Sequence, residues 1–298
     1  MSWRAWITFS ILCVLWGVPY FFIKLALIDL SPAFIAWGRL ALAALVLAPI
    51  AAHRGVLLPA FKHKIAIIAF AILELVIPFS LISIGEQWIS SSLAGVLVAT
   101  VPLTVLVIAP LFGIIENVNA RRVMGLLLGL VGVVVLLGID SVSTTHQWLG
   151  VVCIFGAVIG YAIGPLIVQR YLADVDELGA LSASLIVSAL VLLPAALWSS
   201  PSALPSILSM ASLAILGIFS TALALLLYFY LINHAGAARS SVVAYVCPGI
   251  AAVLGVFVLR EHFGLISALG LALILIGSWL ATGGARERST QNQSAQPA

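Results

Sequence analysis

The chain has 298 residues, 63% of them hydrophobic and 8% charged, with a mean hydropathy of +1.26 and a formal net charge of +3. Soluble domains carry about 25% charged residues, so this composition excludes an ordinary soluble surface and assigns that role to lipid. The basic residues lie mainly in connections, so the small positive charge does not argue for nucleic acid.

A membrane span needs about 20 apolar residues. The first apolar run follows Arg4; it is too long for a signal peptide and no small-x-small cleavage site follows it, so it reads as a retained span. Charged and turn residues then divide the chain into ten spans, at 5–27, 32–52, 64–84, 90–114, 122–138, 147–168, 179–198, 209–232, 240–259 and 264–283. The runs are continuously apolar rather than alternating, which predicts helices and not a membrane barrel. The polar tail from Ala285 to Ala298 reads as disordered.

Counting Lys and Arg outside the spans predicts the orientation. With a cytoplasmic N-terminus the inner side holds Arg4, Arg54, Lys62, Lys64, Arg121, Arg122, Arg170, Arg239, Arg286 and Arg288, and the outer side only Arg260. Both termini are therefore expected in the cytoplasm of a cell whose plasma or inner membrane holds the chain.

A shift of 145 residues carries Glu116 to Glu261, Gly125 to Gly270, Gly132 to Gly277, Gly138 to Gly283, Pro49 to Pro194 and Trp16 to Tyr161, and a shift of 146 carries Pro102 to Pro248. This predicts two five-helix repeats, 1–139 and 146–284, followed by the tail 285–298. Five is odd, so the second copy enters the membrane from the opposite face. Inverted repeats of this kind are common in secondary transporters, whose sites lie near the midplane between the halves. The expected fold is thus an all-α integral membrane protein of ten transmembrane helices.

Charges at membrane depth are costly and mark candidate sites. Three lie inside spans: Lys24, Arg39 and Glu74. Glu74, ten residues past Lys64, falls about 15 Å from the inner boundary, and Arg39 about 10 Å below the outer one. Glu74 reads either as a proton-coupling carboxylate or as the partner of Arg39 in a structural pair. Arg39 offers a bidentate fork for a substrate carboxylate; the alternative is a helix–helix clamp to Glu74 or to backbone carbonyls. Lys24 reads as snorkelling toward headgroups near Asp29.

Pro102 and Pro248 interrupt apolar runs and read equally as hinges or as permanent kinks. Trp16, Tyr20, Trp37, Tyr161, Tyr228 and Tyr245 lie at span depth and offer a cavity wall with polar handles, against ordinary packing as the alternative. Gln87 and Asn233 stand at opposite mouths. Glu116 and Glu261 end their spans beside basic residues and read as salt-bridged elbows. The glycines of spans five and ten permit close helix approach, as scaffold or in a homodimer.

The cysteines Cys13, Cys153 and Cys247 are an odd number at membrane depth, which argues against disulfides. No GxGxxG, GxxxxGK[ST], HExxH or GxSxG occurs, and His53, His63, His146, His234 and His262 all lie in connections. No enzyme activity, metal or cofactor is expected.

At Trp16-Gly17, Lys24, Arg39, Pro102, Glu116 and the echo Pro248/Glu261 the chain resembles the EamA family of the drug/metabolite transporter superfamily, over nearly its whole length. The resemblance implies a carrier whose central cavity is lined by spans one to four and six to nine, and export of small metabolites such as amino acids or drugs. The halves differ where Lys24 maps to Gln169 and Arg39 to Ser184, so any role of those cations is asymmetric. The resulting expectation is alternating-access export of a small solute, with protons as a candidate coupling ion. Uptake by the same scaffold is the runner-up, and a non-transporting membrane protein the alternative from another class.

Overall fold

The apolar runs form helices throughout the computed structural model, which describes residues 3–113, 120–138, 144–235 and 242–281. Glu116, Arg239, Gly283, Arg286, Arg288, the tail and the side chain of Asn233 lie outside the described residues. Eight helical stretches are long and apolar enough to cross a membrane: α1 (Trp3–Ala26), α2 (Pro32–His53), α3 (Leu57–Gly85), α4 (Ser91–Phe112), α5 (Ala120–Leu137), α6 (Thr145–Tyr171), α7 (Glu177–Trp198) and α8 (Ile207–Leu231). Two shorter apolar helices follow, α9 (Val243–Phe257) and α10 (Leu265–Ala281).

The starts of the long helices are written in short polar residues. Ser31, Ser90, Asp176 and Ser206 each accept a bond from the backbone N–H three residues on, at 3.2, 3.1, 3.0 and 3.3 Å. Thr144 and Gln147 close a reciprocal capping box at α6. Each cap satisfies a donor that lipid cannot.

Proline breaks some helices and not others. α1 is interrupted at Val18, before Pro19, and α4 turns at Ala99 and Thr100 before Pro102. The Ser278 hydroxyl of α10 donates to the Ala99 carbonyl at 3.4 Å, so the broken backbone faces protein. Pro165 and Pro248, at the matching places in the second half, sit inside unbroken helices. α3 begins at Leu57, seven residues before the expected span, and runs through a 3₁₀ turn at Phe61–His63.

Two stretches are π-helical, Ala71–Val76 in α3 and Ile215–Leu223 in α8. They lie about one repeat apart. π segments recur at functional sites because the extra residue per turn re-aims side chains.

Helix packing relates the halves. α2 packs on α7, α4 on α9 and α5 on α10, each on its counterpart one half away. Further contacts are matched: α1 meets α8 and α9, as α6 meets α3 and α4. α2 lies on the π stretch of α8, as α7 lies on that of α3.

The α5–α10 contact is backbone against backbone. A Cβ on Gly132 would stand 2.8 Å from the Gly270 carbonyl oxygen, and one on Gly270 would stand 3.0 Å from that of Gly132. Gly125 and Gly277 face each other in the same way. Only glycine permits this approach. The glycine faces read as candidates for a homodimer are thus covered within one chain.

Candidate functional site

The π stretch of α8 lies against α2, and that of α3 against α6 and α7. Within the α8 stretch, the Thr221 hydroxyl donates to the Leu216 carbonyl five residues back, at 2.8 Å. It also accepts the Nε–H of Arg39 at 2.8 Å. The guanidinium lies over the ring of Phe79 from α3, 4.0 Å from its centroid. A cation on an aromatic face is stabilised without surrendering its N–H donors. Arg39 is only 7% exposed, yet its terminal Nη groups have no hydrogen-bond partner among the described residues.

Glu74, in the α3 π stretch, lies against Gly164 of α6, where a Cβ would collide with its carboxyl group. Its Oε2 is buried and has no hydrogen-bond partner. Arg39 and Glu74 do not form the ion pair weighed from the sequence: the cation is clamped by Thr221 and Phe79, which fix it on α8 and on the far end of α3.

Tyr161 links the two. It lies one helical turn before Gly164, within electrostatic reach of both Arg39 and Glu74, and meets Phe79 edge-on with ring centroids 6.3 Å apart. Tyr20 lies within reach of Arg39 and Tyr161, and Tyr228 within reach of Glu74. Trp16 packs on Tyr228 at 4.9 Å. Contacts therefore gather Arg39, Phe79 and Tyr161, with Glu74 one turn further along α6 at Gly164, while Trp16 and Tyr228 form a pair of their own.

The remaining predicted residues lie elsewhere. Trp37 pairs with Phe34 at 5.5 Å and packs against the α2–α7 core. Tyr245 donates to the Ser278 carbonyl of α10 at 3.4 Å. Pro248 is buried within α9, and Pro102 opens the second segment of α4.

A second polar group lies at the face carrying the connections 27–31, 86–90, 199–206 and 258–264. Lys24, read from the sequence as snorkelling toward headgroups near Asp29, donates its ammonium to the Glu86 backbone carbonyl. Asp29 instead accepts the backbone N–H of Ser206 at 2.9 Å, the hydroxyl of Ser209 at 2.8 Å, and the hydroxyl of Ser206. These bonds, the Ser206 hydroxyl foremost, hold the Asp29 carboxyl below the usual range. Glu261 is likewise not a salt-bridged elbow. It accepts the backbone N–H groups of Ser91 and Ser92 at 2.7 and 2.9 Å and the Ser92 hydroxyl at 2.6 Å, closing the α4 N-terminus. Burial pushes its carboxyl up, but the bonds from Ser92 and Ser91 prevail and hold it low.

Glu86, just past the end of α3, is 0% exposed, and neither carboxylate oxygen has a partner. Burial pushes its carboxyl well above the usual range; Lys24 and Arg39 pull it down and Glu261 pushes it further up.

Sequence reasoning passed over Glu86, Thr221 and Phe79. Glu86 ends an apolar run beside Gln87 and looks like a turn residue; only its burial separates it from one. Thr221 and Phe79 carry no charge, and their role exists only because Arg39 lies between them.

The family model for the EamA-like transporter family matches residues 3–138 and again 148–283. The chain is 28% identical over 274 residues to the Escherichia coli (strain K12) protein named "Uncharacterized inner membrane transporter YedA", covering 91% of this chain and 88% of that one. A protein of Archaeoglobus fulgidus named "Uncharacterized transporter" is 25% identical, with 93% and 98% covered. The Salmonella typhimurium protein PagO is 28% identical, with 92% and 91% covered. A solved crystal structure shares the fold at a TM-score of 0.67 and 19% identity, covering 96% of this chain and 99% of the other. The chain therefore belongs to the EamA-like transporter family and is a multi-pass membrane transporter.

Proposed function

We propose that the chain is a secondary carrier that exports a small carboxylate-bearing metabolite, such as an amino acid, by alternating access, and that it catalyses no chemical reaction. In this reading ten helices cross the membrane as two inverted five-helix repeats with both termini in the cytoplasm. The matched contacts of the two halves and the basic inner connections support that arrangement.

The observation that carries the reading is the free Arg39 fork. Arg39 is anchored by Nε and by its face, which leaves the planar Nη edge to accept a carboxylate in bidentate fashion. The ring faces and hydroxyls of Tyr20, Tyr161 and Tyr228, with Trp16, supply apolar contact and orientation around it.

Glu74 is the proton site of the cycle. The buried Oε2, pressed against α6 at Gly164 without a donor, supports this reading, because a proton would neutralise it. Efflux of a radiolabelled amino acid from proteoliposomes, with and without a pH gradient, tests this. The gradient accelerates efflux by the wild type and not by Glu74→Gln. Equal acceleration in both removes Glu74 from the cycle.

A further inference from the structure

We propose that Glu86 is a second proton-binding site, at the mouth of the bundle between α1, α3 and α4, holding a proton that it yields when the Lys24 ammonium turns from the Glu86 backbone carbonyl to its carboxylate. Three independent observations meet at this residue. Glu86 is fully buried, with both carboxylate oxygens unpartnered. It lines a cleft of about 280 Å³ together with Lys24, Leu27, Ile28 and Gln87. The only cation in the cleft lining is already bonded to the same residue, through its backbone oxygen.

An ionised carboxylate enclosed without a single donor is strongly disfavoured, whereas the neutral acid is tolerated. A proton is the ligand that fits. The neighbouring groups set the balance. From α1 come Lys24 and Tyr20, from α2 Arg39, and from the α9–α10 connection the Glu261 anion. α6 brings Cys153 to Gly85 and His146 to Trp88. Glu261 is committed to Ser91 and Ser92 and stays ionised, which favours the proton on Glu86. Lys24 opposes it and needs only to move from the backbone to the side chain of one residue. The step breaks the Glu86 O–H bond, passes the proton to cleft water and forms an ammonium–carboxylate pair, so charge and atoms balance.

This site is independent of the Arg39–Glu74 reading. The test is infrared difference spectroscopy of the full-length protein in liposomes, titrated with pH, following the C=O stretch of protonated carboxyl groups. One component of that band is expected to vanish on alkalinisation, to be absent from Glu86→Gln and to persist in Glu74→Gln. In Lys24→Met the same component is expected to survive to higher pH, because the competing cation is gone. Retention of every component in Glu86→Gln overturns the proposal. If that variant does not fold, Lys24→Met decides: a component lost at the wild-type pH overturns it equally. Because no transport is measured, this failure is distinct from a failure of the carrier reading.

Discussion

Arg39 donates its Nε–H to Thr221 Oγ1 at 2.8 Å, tying the middle of α2 to the π-helical stretch of α8, and leaves Glu74 Oε2 without a partner. The clamp holds a costly charge in one place and orientation. Thr221→Val removes the acceptor and strands a buried charged donor, a loss of about 1–3 kcal/mol. Thermal unfolding of the detergent-purified protein should show the drop in Thr221→Val and near-wild-type stability in Thr221→Ser. Equal stability of all three would mean the clamp is not formed.

Glu74 approaches α6 because position 164 has no side chain. Gly164→Ala therefore destabilises chiefly through Glu74, and Glu74→Ala in the same chain restores part of the loss. A double-mutant cycle should give a coupling of about 0.5–3 kcal/mol. Strict additivity would place the Glu74 side chain away from Gly164.

The Glu261 carboxyl, held below its usual range by Ser92 and Ser91, makes an acid-sensitive contribution. Its folded titration point lies below its unfolded one, so its stabilisation is fully present above the unfolded value and is lost as pH falls through the folded one. Stability measured down through the carboxylate range should fall less steeply in Glu261→Gln than in the wild type. The slope that remains includes that of Asp29, which is held low in the same sense by Ser206. An unchanged acid slope in Glu261→Gln would show that the α4 cap does not titrate.

Orientation is open to a direct check. In a chain freed of its three cysteines, a membrane-impermeant thiol reagent applied to intact cells should label a cysteine at Ser200 and spare one at His63. The reverse pattern would invert the whole bundle.

Hydropathy and turn residues make most of the spans legible, because crossing lipid requires long apolar helices with polar caps. The glycine spacing foretells the α5–α10 contact for an equally direct reason: close approach forbids a side chain. The π stretches at Ala71–Val76 and Ile215–Leu223 are invisible in the sequence, since a change of hydrogen-bond register leaves hydropathy untouched. Their consequences were therefore hidden too. Arg39 and Glu74 stand out as charges at depth, but their separation depends on Thr221 and Phe79, two residues unremarkable in apolar runs. Glu86 was obscured for the opposite reason, since a glutamate at a span end is ordinarily solvated. Lys24, Asp29 and Glu261 pair across distant connections, with partners 62 to 180 residues away along the chain, which local spacing does not encode.

The free fork of Arg39 is the centre of this account, and counterflow in proteoliposomes addresses it most directly. Vesicles loaded with an unlabelled amino acid should transiently accumulate its labelled form, should ignore the corresponding amide, and should lose about tenfold of the apparent affinity, equivalent to 1.4 kcal/mol, in Arg39→Lys. Amide exchanged as readily as acid, or an Arg39→Lys variant indistinguishable from the wild type, would contradict it.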